Sequence, residues 1–360
     1  MLRAQPLSLR VSLEAAHQQQ NAARGNLAVQ PPQAEHAADT GSAAARPKRV
    51  LVVAYSQTGQ LTRITERLIA PLRADGSIHV HVEVLRPVQP FMFPWSVLRF
   101  FDAFPESAHL IGTALEPLNL RGDEDFDLVI LPYQVWFLAP SLPITGFLQH
   151  PLAKRLLHGK PVVTVIGCRN MWMMAQEKIK ILLAQCGARL IDNVVLTDSS
   201  PTLVTLVTTP WWMLTGRRQL GSLPPAGIDE TSIARTDRFG QALRDALRAN
   251  AERTSGPLLH GLAACEANPR LLVSERAGTR SFYLWGKLVR AFGPPQAALR
   301  KPILVLYIAF LIVLILTVVP VSLALQALLR PLIRDRLAAS QRQFELPSGS
   351  GRERMREYGY

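Results

Sequence analysis

The run Arg49-Val50-Leu51-Val52-Val53-Ala54-Tyr55-Ser56-Gln57-Thr58-Gly59-Gln60-Leu61-Thr62 constrains this chain more than any other segment. A short apolar stretch stops at a cluster of hydroxyls and a glycine. Apolar residues then recur at Leu61, Ile64, Leu68, Ile69 and Leu72, the period of a helix. A strand that passes through such a turn directly into a helix leaves free N–H groups and the positive end of the helix dipole facing the turn. That is a ready anion site. The turn matches neither GxGxxG nor GxxxxGK[ST], the fingerprints of dinucleotide folds and nucleoside triphosphatases. Hydroxyls and amides without a lysine suit a single terminal phosphate monoester. The competing reading is an ordinary strand–helix turn with a hydroxyl cap.

Two further strand ends carry comparable signals. Asp127-Leu128-Val129-Ile130-Leu131-Pro132 reads as a buried strand, followed by the aromatic loop Tyr133-Gln134-Val135-Trp136-Phe137-Leu138-Ala139-Pro140. Flat side chains stack on a planar ring and keep water from it, although Trp136 and Phe137 also fit a core beneath a loop. Pro161–Ile166 reads as the next strand, with the turn Gly167-Cys168-Arg169-Asn170-Met171-Trp172 after it. Ala175, Ile179, Leu182 and Cys186 then keep helical spacing up to Gly187, a suitable C-cap. Three strand-end loops meeting at one edge is how doubly wound sheets hold ligands. The turn alone suits a terminal phosphate such as that of FMN, and the resemblance of the Ser56–Thr62 turn and the 133–143 loop to flavodoxin-like proteins implies FMN as the cofactor. Ser56, Gln57, Thr58, Gly59, Gln60, Leu61 and Thr62 would hold its phosphate. Tyr133, Gln134, Val135 and Trp136 would line one side of the ring, and Gly167, Arg169, Asn170 and Trp172 the other. Tyr133 and Arg169 are the candidates for proton handling.

Strands at Val50–Tyr55, Ile78–Leu85, Asp127–Leu131, Pro161–Ile166 and Ala188–Leu196 alternate mostly with helices. They predict an α/β fold with a doubly wound, five-stranded parallel sheet in the order 2-1-3-4-5 over residues 48–252. A helix near Asp229–Asn250, with Ile233, Leu243 and Leu247 on one face, closes it. His79 and His81 share one face of the second strand, without a third ligand nearby, and read as a solvated edge. The crossover Pro87–Leu120 is unusually aromatic. It is either the wall of an apolar pocket or a helix packed on the sheet, and Asp102 and Glu106 act as acid–base groups only if they reach the ring.

The pattern Ser56-x-Thr58-Gly59-x-x-Thr62 resembles the phosphate loop of flavodoxin-like proteins, and the loop at 133–143 resembles that of flavodoxin-like reductases. Together with Pro94-Trp95, Phe101-Asp102-Ala103-Phe104-Pro105-Glu106-Ser107 and Gly167–Trp172, the chain over roughly residues 48–250 resembles bacterial proteins labelled dialkylresorcinol-condensing enzymes. Those accompany genes for aryl-polyene or alkylresorcinol synthesis. The resemblance implies a partner ketosynthase and acyl carrier protein, and an FMN-dependent oxidoreductase that aromatises a lipid-like cyclic dione to a resorcinol. A condensing role for this chain is disfavoured by its residues. A Claisen-type nucleophile needs a cysteine near a basic group, and Cys168, Cys186 and Cys265 have no histidine close in sequence. The alternatives are a non-flavin scaffold or condensing subunit for a ketosynthase, and a general quinone reductase or electron carrier.

Residues 302–329 contain no charged side chain. At a rise of about 1.5 Å per residue this stretch spans about 42 Å, against a hydrocarbon core of ~30 Å. The expectation is a tilted or kinked transmembrane helix, with a hairpin turning at Pro320 as the minor alternative. Leu203–Thr215 with Trp211 and Trp212 reads as an interfacial loop or a pocket lid, and Ser281–Arg300 as a juxtamembrane anchor. The net charge of +13 then serves attraction to anionic lipid. No nucleic-acid recognition motif is present. Cationic residues on the two sides of the apolar stretch balance, so the charge rule assigns no orientation. FMN and its reductants place the flavin domain on the cytoplasmic side of the inner membrane. Residues 1–47 read as a disordered extension, 253–301 as linker and juxtamembrane segment, and 330–360 as a basic polar tail. Three cysteines without ligand spacing read as reduced thiols.

Overall fold

Apolar, β-branched runs bounded by turn residues form the strands, as their propensity favours. The computed structural model describes residues 46–254 and 256–360, with backbone alone for 318–334. The predicted extension therefore lies almost wholly outside the described residues. Strands β1 (Lys48–Ala54), β2 (Ile78–Val84), β3 (Leu128–Trp136), β5 (Pro161–Cys168) and β6 (Arg189–Thr197) pair in parallel in the order β2-β1-β3-β5-β6. This is the flavodoxin-like order expected of five parallel strands. It carries one addition, the two-residue β4 (Ala139–Pro140), which pairs antiparallel with the end of β3.

Side chains alternate across the sheet and build a core on each face. Val50 and Val52 of β1 point toward α1 (Gln60–Arg73) and α9 (Asp237–Arg248), where Ile64, Leu68, Leu243 and Leu247 are fully buried. Leu51 and Val53 point toward α4 (Leu142–Gln149), α5 (Pro151–Leu157) and α6 (Met173–Gln185). α1 and α9 pack closely because Gly240 has no side chain: a Cβ there would lie 1.9 Å from Leu68 O. The helical spacings predicted for 61–72, 175–186 and 233–247 are all borne out, the last as α8 (Glu230–Ala234) followed by α9.

Three parts of the organisation differ from expectation. First, residues 132–136 are strand and not loop. Pairing with β5 runs on through Pro132↔Val165, Tyr133↔Ile166 and Gln134↔Gly167, and β4 takes up Val135 and Trp136. Second, 253–301 is no linker. Leu258, Leu259, Leu262, Ala264 and Cys265 are buried in the two cores, and residues 272–291 form α10 (Leu272–Ala291). Third, 330–360 is no free tail. α11 (Arg300–Glu345) continues past the apolar stretch, and the chain then folds back on β6. There the buried carboxylate of Asp192 accepts from Leu258 N at 2.7 Å, Leu259 N at 3.1 Å and Ser348 Oγ at 2.7 Å.

The start of α11 is fixed just as firmly. The crossover forms α2 (Val97–Asp102) and α3 (Phe104–Ala108). Fully buried Arg300 donates to Asp102 at 3.1 Å and to Glu106 at 2.7 Å. Asp102 and Glu106 are thus anchors of α11, and not groups free to serve a ring. Burial pushes the Glu106 carboxyl up, and Arg300 opposes that shift. Removing one partner of a buried ion cluster costs about 3–5 kcal/mol, because the remaining charges are left unpaired. Arg300→Met is therefore expected to lower the unfolding free energy by about that amount in chemical denaturation. The triple variant with Asp102→Asn and Glu106→Gln should recover most of the loss; an Arg300→Met protein as stable as the parent would refute the role.

Candidate functional site

The carboxyl ends of β1, β3, β5 and β6 share one edge of the sheet, and their loops form the candidate site. After β1 the chain turns through Gly59, whose φ of 79° lies in the left-handed region. A Cβ there would meet nothing within 4 Å, so conformation and not space requires the glycine. α1 starts without a side-chain cap, and Thr58 Oγ1 accepts from Gln60 N only at 3.4 Å. The first turn of α1 thus keeps its anion-binding character.

Each of three predicted loops contributes a buried polar atom that has no partner: Ser56 Oγ, Gln134 Oε1 and Asn170 Oδ1. Others of that kind occur elsewhere, at Ser141 and Thr145 for example, but these three sit at the ends of β1, β3 and β5. A buried acceptor or hydroxyl without a partner costs about 1–3 kcal/mol, and a bound polar ligand is one way to recover it.

Other predicted site residues have protein partners instead. Gln57 receives the Tyr55 hydroxyl and donates to Phe91 O at 2.7 Å and Met92 O at 3.1 Å. It is a strap holding the crossover over the turn. Gln60 donates to Ile228 O and accepts from Ile228 N, each at 3.0 Å, and so pins the segment before α8. Leu61 is core, and Thr62 is exposed. Gly167 lies in β5 facing α1, where a Cβ would come within 3.2 Å of Leu61 Cδ1. Trp172 is 1 % exposed and belongs to the core below α6. Trp136 packs edge-on against Tyr55, Phe91 and Trp95 at ring separations of 6.1, 5.1 and 5.6 Å. The crossover aromatics therefore wall the site as well as pack on the sheet. Among the described residues no cluster of three metal-ligating side chains exists, and His79 and His81 are exposed on the edge strand β2.

Tyr133 is removed from the proton-handling role. Because β3 continues, its ring turns into the core, where the hydroxyl donates to Gln176 Oε1 at 2.7 Å, and burial pushes the phenol up. Gln176 passes the chain on to Thr164 and Thr164 to Asn193. Arg169 remains at the loop, half-buried, with burial lowering its pKa against the pull of Cys168 and Asp198. Burial also pushes the Cys168 thiol up, which leaves it protonated at neutral pH and a poor nucleophile.

Sequence reasoning missed Asp198. Its amide donates to Cys168 O and Arg169 O, and its carboxylate accepts from Ser200 N at 2.9 Å and Gly227 N at 2.8 Å. One residue thus ties these segments together, its amide holding the loop after β5 and its carboxylate joining the loop after β6 to the segment at 226–228. The cluster Thr197-Asp198-Ser199-Ser200-Pro201 directly after the fifth strand was the available signal. The segment read as loop or lid is α7 (Thr202–Thr215), a cover. Buried Trp212 meets Phe93 at 6.4 Å, and Met213 O accepts from Trp95 N at 2.8 Å.

One cavity lies along the crossover and another beside the loops after β5 and β6. The first, of about 1260 Å³, is lined by Phe91, Met92, Trp95, Leu142, Glu106 and Arg290 among others. The second, of about 670 Å³, is lined by Asn170, Asp198, Ser200, Thr202, Asn268 and Gln341 among others. The Ser56–Thr62 turn lines neither.

No family model matches the chain, and no curated protein matches it. Solved structures with related folds include a flavoprotein from Lactobacillus acidophilus in complex with FMN, 13% identical, covering 41% of this chain and 93% of that one with a TM-score of 0.34. A flavodoxin from the domain Archaea is 11% identical and covers 56% and 99%, with a TM-score of 0.33. A flavone reductase is 11% identical and covers 58% and 66%, with a TM-score of 0.32. At these scores the superpositions are too loose to carry weight; fold and site rest on the strand order and the loops.

Two expectations test the site's wiring. Tyr133→Phe strands Gln176 and is expected to cost about 1–3 kcal/mol in denaturation without changing ligand binding. A loss of binding in a folded variant would return Tyr133 to the site. The second concerns Glu275 of α10, which accepts from Met174 N at 2.8 Å at the start of α6 and is fully buried, its carboxyl pushed up by burial to about 7. An acid raised in the folded state favours folding most below its unfolded pKa, near 4.3. It loses stability as pH climbs toward 7, by about 3 kcal/mol for this shift. Melting in mild detergent should show Glu275→Gln gaining stability over the parent between pH 4.5 and 7.5. A difference that does not vary with pH would refute it.

Proposed function

We propose that this chain is an FMN-dependent oxidoreductase. The observation that carries the reading is the set of unpartnered buried atoms at three converging strand ends, beside an uncapped helix N-terminus behind a left-handed glycine. Ser56, Thr58 and the first amides of α1 would take the phosphate. Gln134 and Asn170 would hydrogen-bond the ring system, and the Trp136–Phe91–Trp95 wall would shield it from water. When bound, FMN supplies a two-electron acceptor for a hydride. Asp198 positions Arg169 and the loop after β5, and Arg169 holds an anionic or enolic oxygen of the substrate.

The resemblance to dialkylresorcinol-condensing enzymes supports a narrower form of this proposal. Converting a dialkyl-cyclohexanedione to a resorcinol removes one hydride and one proton. The dione would come from a partner ketosynthase working with an acyl carrier protein. The protonated Cys168 fits a chain that oxidises and does not condense. The larger cavity, apolar along Phe91, Met92, Trp95 and Leu142, fits alkyl arms, and the exposed apolar helix fits attachment at the cytoplasmic face of the inner membrane. One observation favours the scaffold instead: the phosphate turn lines neither cavity, and both of its glutamines already have protein partners.

The absorption spectrum of the full chain in mild detergent separates the two. Stoichiometric FMN is expected, bleaching anaerobically when a synthetic dialkyl-cyclohexanedione is added, with resorcinol appearing in equal amount. Ser56→Ala and Asn170→Ala should each weaken FMN by about tenfold or more, the worth of one hydrogen bond to a charged or buried group. A folded, colourless protein that ignores added FMN would leave the scaffold.

A further inference from the structure

Both ends of α11 belong to the same side of one domain. At its start Arg300 is locked between Asp102 and Glu106, and Tyr307 packs on Phe104, Trp285 and Phe282 at ring separations of 4.4, 5.2 and 6.1 Å. At its end Phe344 enters the core, and Glu345 Oε1 accepts from Ala267 N at 3.1 Å. Three residues later Ser348 is bound to Asp192. A helix that crosses a bilayer once delivers its far end to the opposite side, which these contacts forbid.

The path between the ends is equally constrained. Tyr307 lies against Phe282 of α10, and the far part of α11 touches the turn Pro269–Leu271 just ahead of α10. From Leu271 to Phe282 is about 16 Å along a helix, whereas Tyr307 to Ala338 would be about 46 Å if straight. α11 therefore bows away from the domain and returns, with Pro320 and Pro331 in the bowed part, where helices bend. From Ile312 to Arg336 the helix measures about 36 Å, so its excursion is at most about 18 Å deep, short of the far side of a ~30 Å hydrocarbon core.

What leaves the domain is apolar and uncovered. The window Arg300–Thr317 has a mean hydropathy of 2.1 with 17% of it buried, and Val305, Leu306, Ile312, Val313 and Leu316 are 52 to 70 % exposed. Lys287, Arg290 and Lys301 flank its root on a chain of net charge +13, complementary to anionic headgroups. We infer that α11 is a re-entrant segment. It dips into one leaflet of an anionic bilayer and emerges on the side it entered, so that the strand-end site and residues 346–360 face the same compartment. This replaces the single crossing expected from hydropathy and does not rest on flavin binding.

The test uses full-length protein with one added cysteine, Arg121→Cys on the domain or Arg352→Cys in the C-terminal segment, in sealed inverted and right-side-out membrane vesicles. The parent protein is the control for Cys168, Cys186 and Cys265. A membrane-impermeant maleimide is expected to label both positions in the same vesicle orientation and neither in the other. Labelling of Arg352→Cys only where Arg121→Cys is protected would establish a crossing and overturn the inference. Purified protein is also expected to float with phosphatidylcholine–phosphatidylglycerol vesicles, and Val313→Glu with Leu316→Glu to lower the floated fraction severalfold. Failure to float, with a soluble dimer dissociated by the same substitutions, would assign the apolar face to a second copy and overturn it too.

Discussion

The guanidinium of Arg300, buried between the carboxylates of Asp102 and Glu106, is the contact that fixes the start of α11 to the crossover. Desolvating a cation is tolerable only where counter-charges and hydrogen bonds replace water, and the crossover helices α2 and α3 supply both. Their price of assembly is met by the aromatic rings around them: Phe104, Phe137, Phe282 and Tyr307 interlock within 4.4 to 6.3 Å of one another or of Phe101. Phe137 itself sits in the β3–β4 turn at a φ of 50°, with Leu138 at 58°. Left-handed non-glycine residues are strained, and packing of the Phe137 ring holds this pair in place. The same wall of rings that receives α11 therefore also shapes the end of β3.

A second set of contacts closes the opposite side. Asp192 collects two backbone amides from the segment after α9 and a hydroxyl from beyond α11, although burial pushes its own carboxyl up to about 6. Four segments far apart in sequence meet here: β5, β6, residues 257–267 and the C-terminal turn. Asp198 does the same for the loops of the candidate site. The parallel sheet sets where strand ends lie, and these two carboxylates set how the loops beyond them are joined.

What was legible in the sequence follows from period. Leu61, Ile64, Leu68, Ile69 and Leu72 repeat at helical spacing, and all are buried as that spacing requires. The parallel strands came in the expected order, because short apolar runs separated by helices leave few topologies. What failed was local chemistry with a distant partner. Tyr133 reads as the first residue of an aromatic loop, yet β5 supplies the pairing that keeps the strand going. Gln57 and Gln60 had the right chemistry for a phosphate, but Phe91, Met92 and Ile228, far off in sequence, had carbonyls to satisfy. Nothing in the polarity of residues 330–360 revealed that Ser348 would find Asp192.

The position of the uncovered apolar surface completes the picture. Leu203, Val207 and Leu214 are 63, 54 and 37 % exposed along one stripe of α7, and Met92 in the crossover is 73 % exposed. Val88 and Met92 line the larger cavity together with Gly293–Gln296, the link that leads into α11. Exposed apolar side chains thus occur on the cavity rim and on the cover, and surface of that kind marks interaction sites. On the proposed reading, an alkylated ring dissolved in one leaflet would then meet the cavity without passing through water, where each buried CH₂ otherwise costs about 0.8 kcal/mol to expose. A re-entrant helix serves that geometry better than a crossing one, because it fixes the height of the cavity mouth from both of its ends.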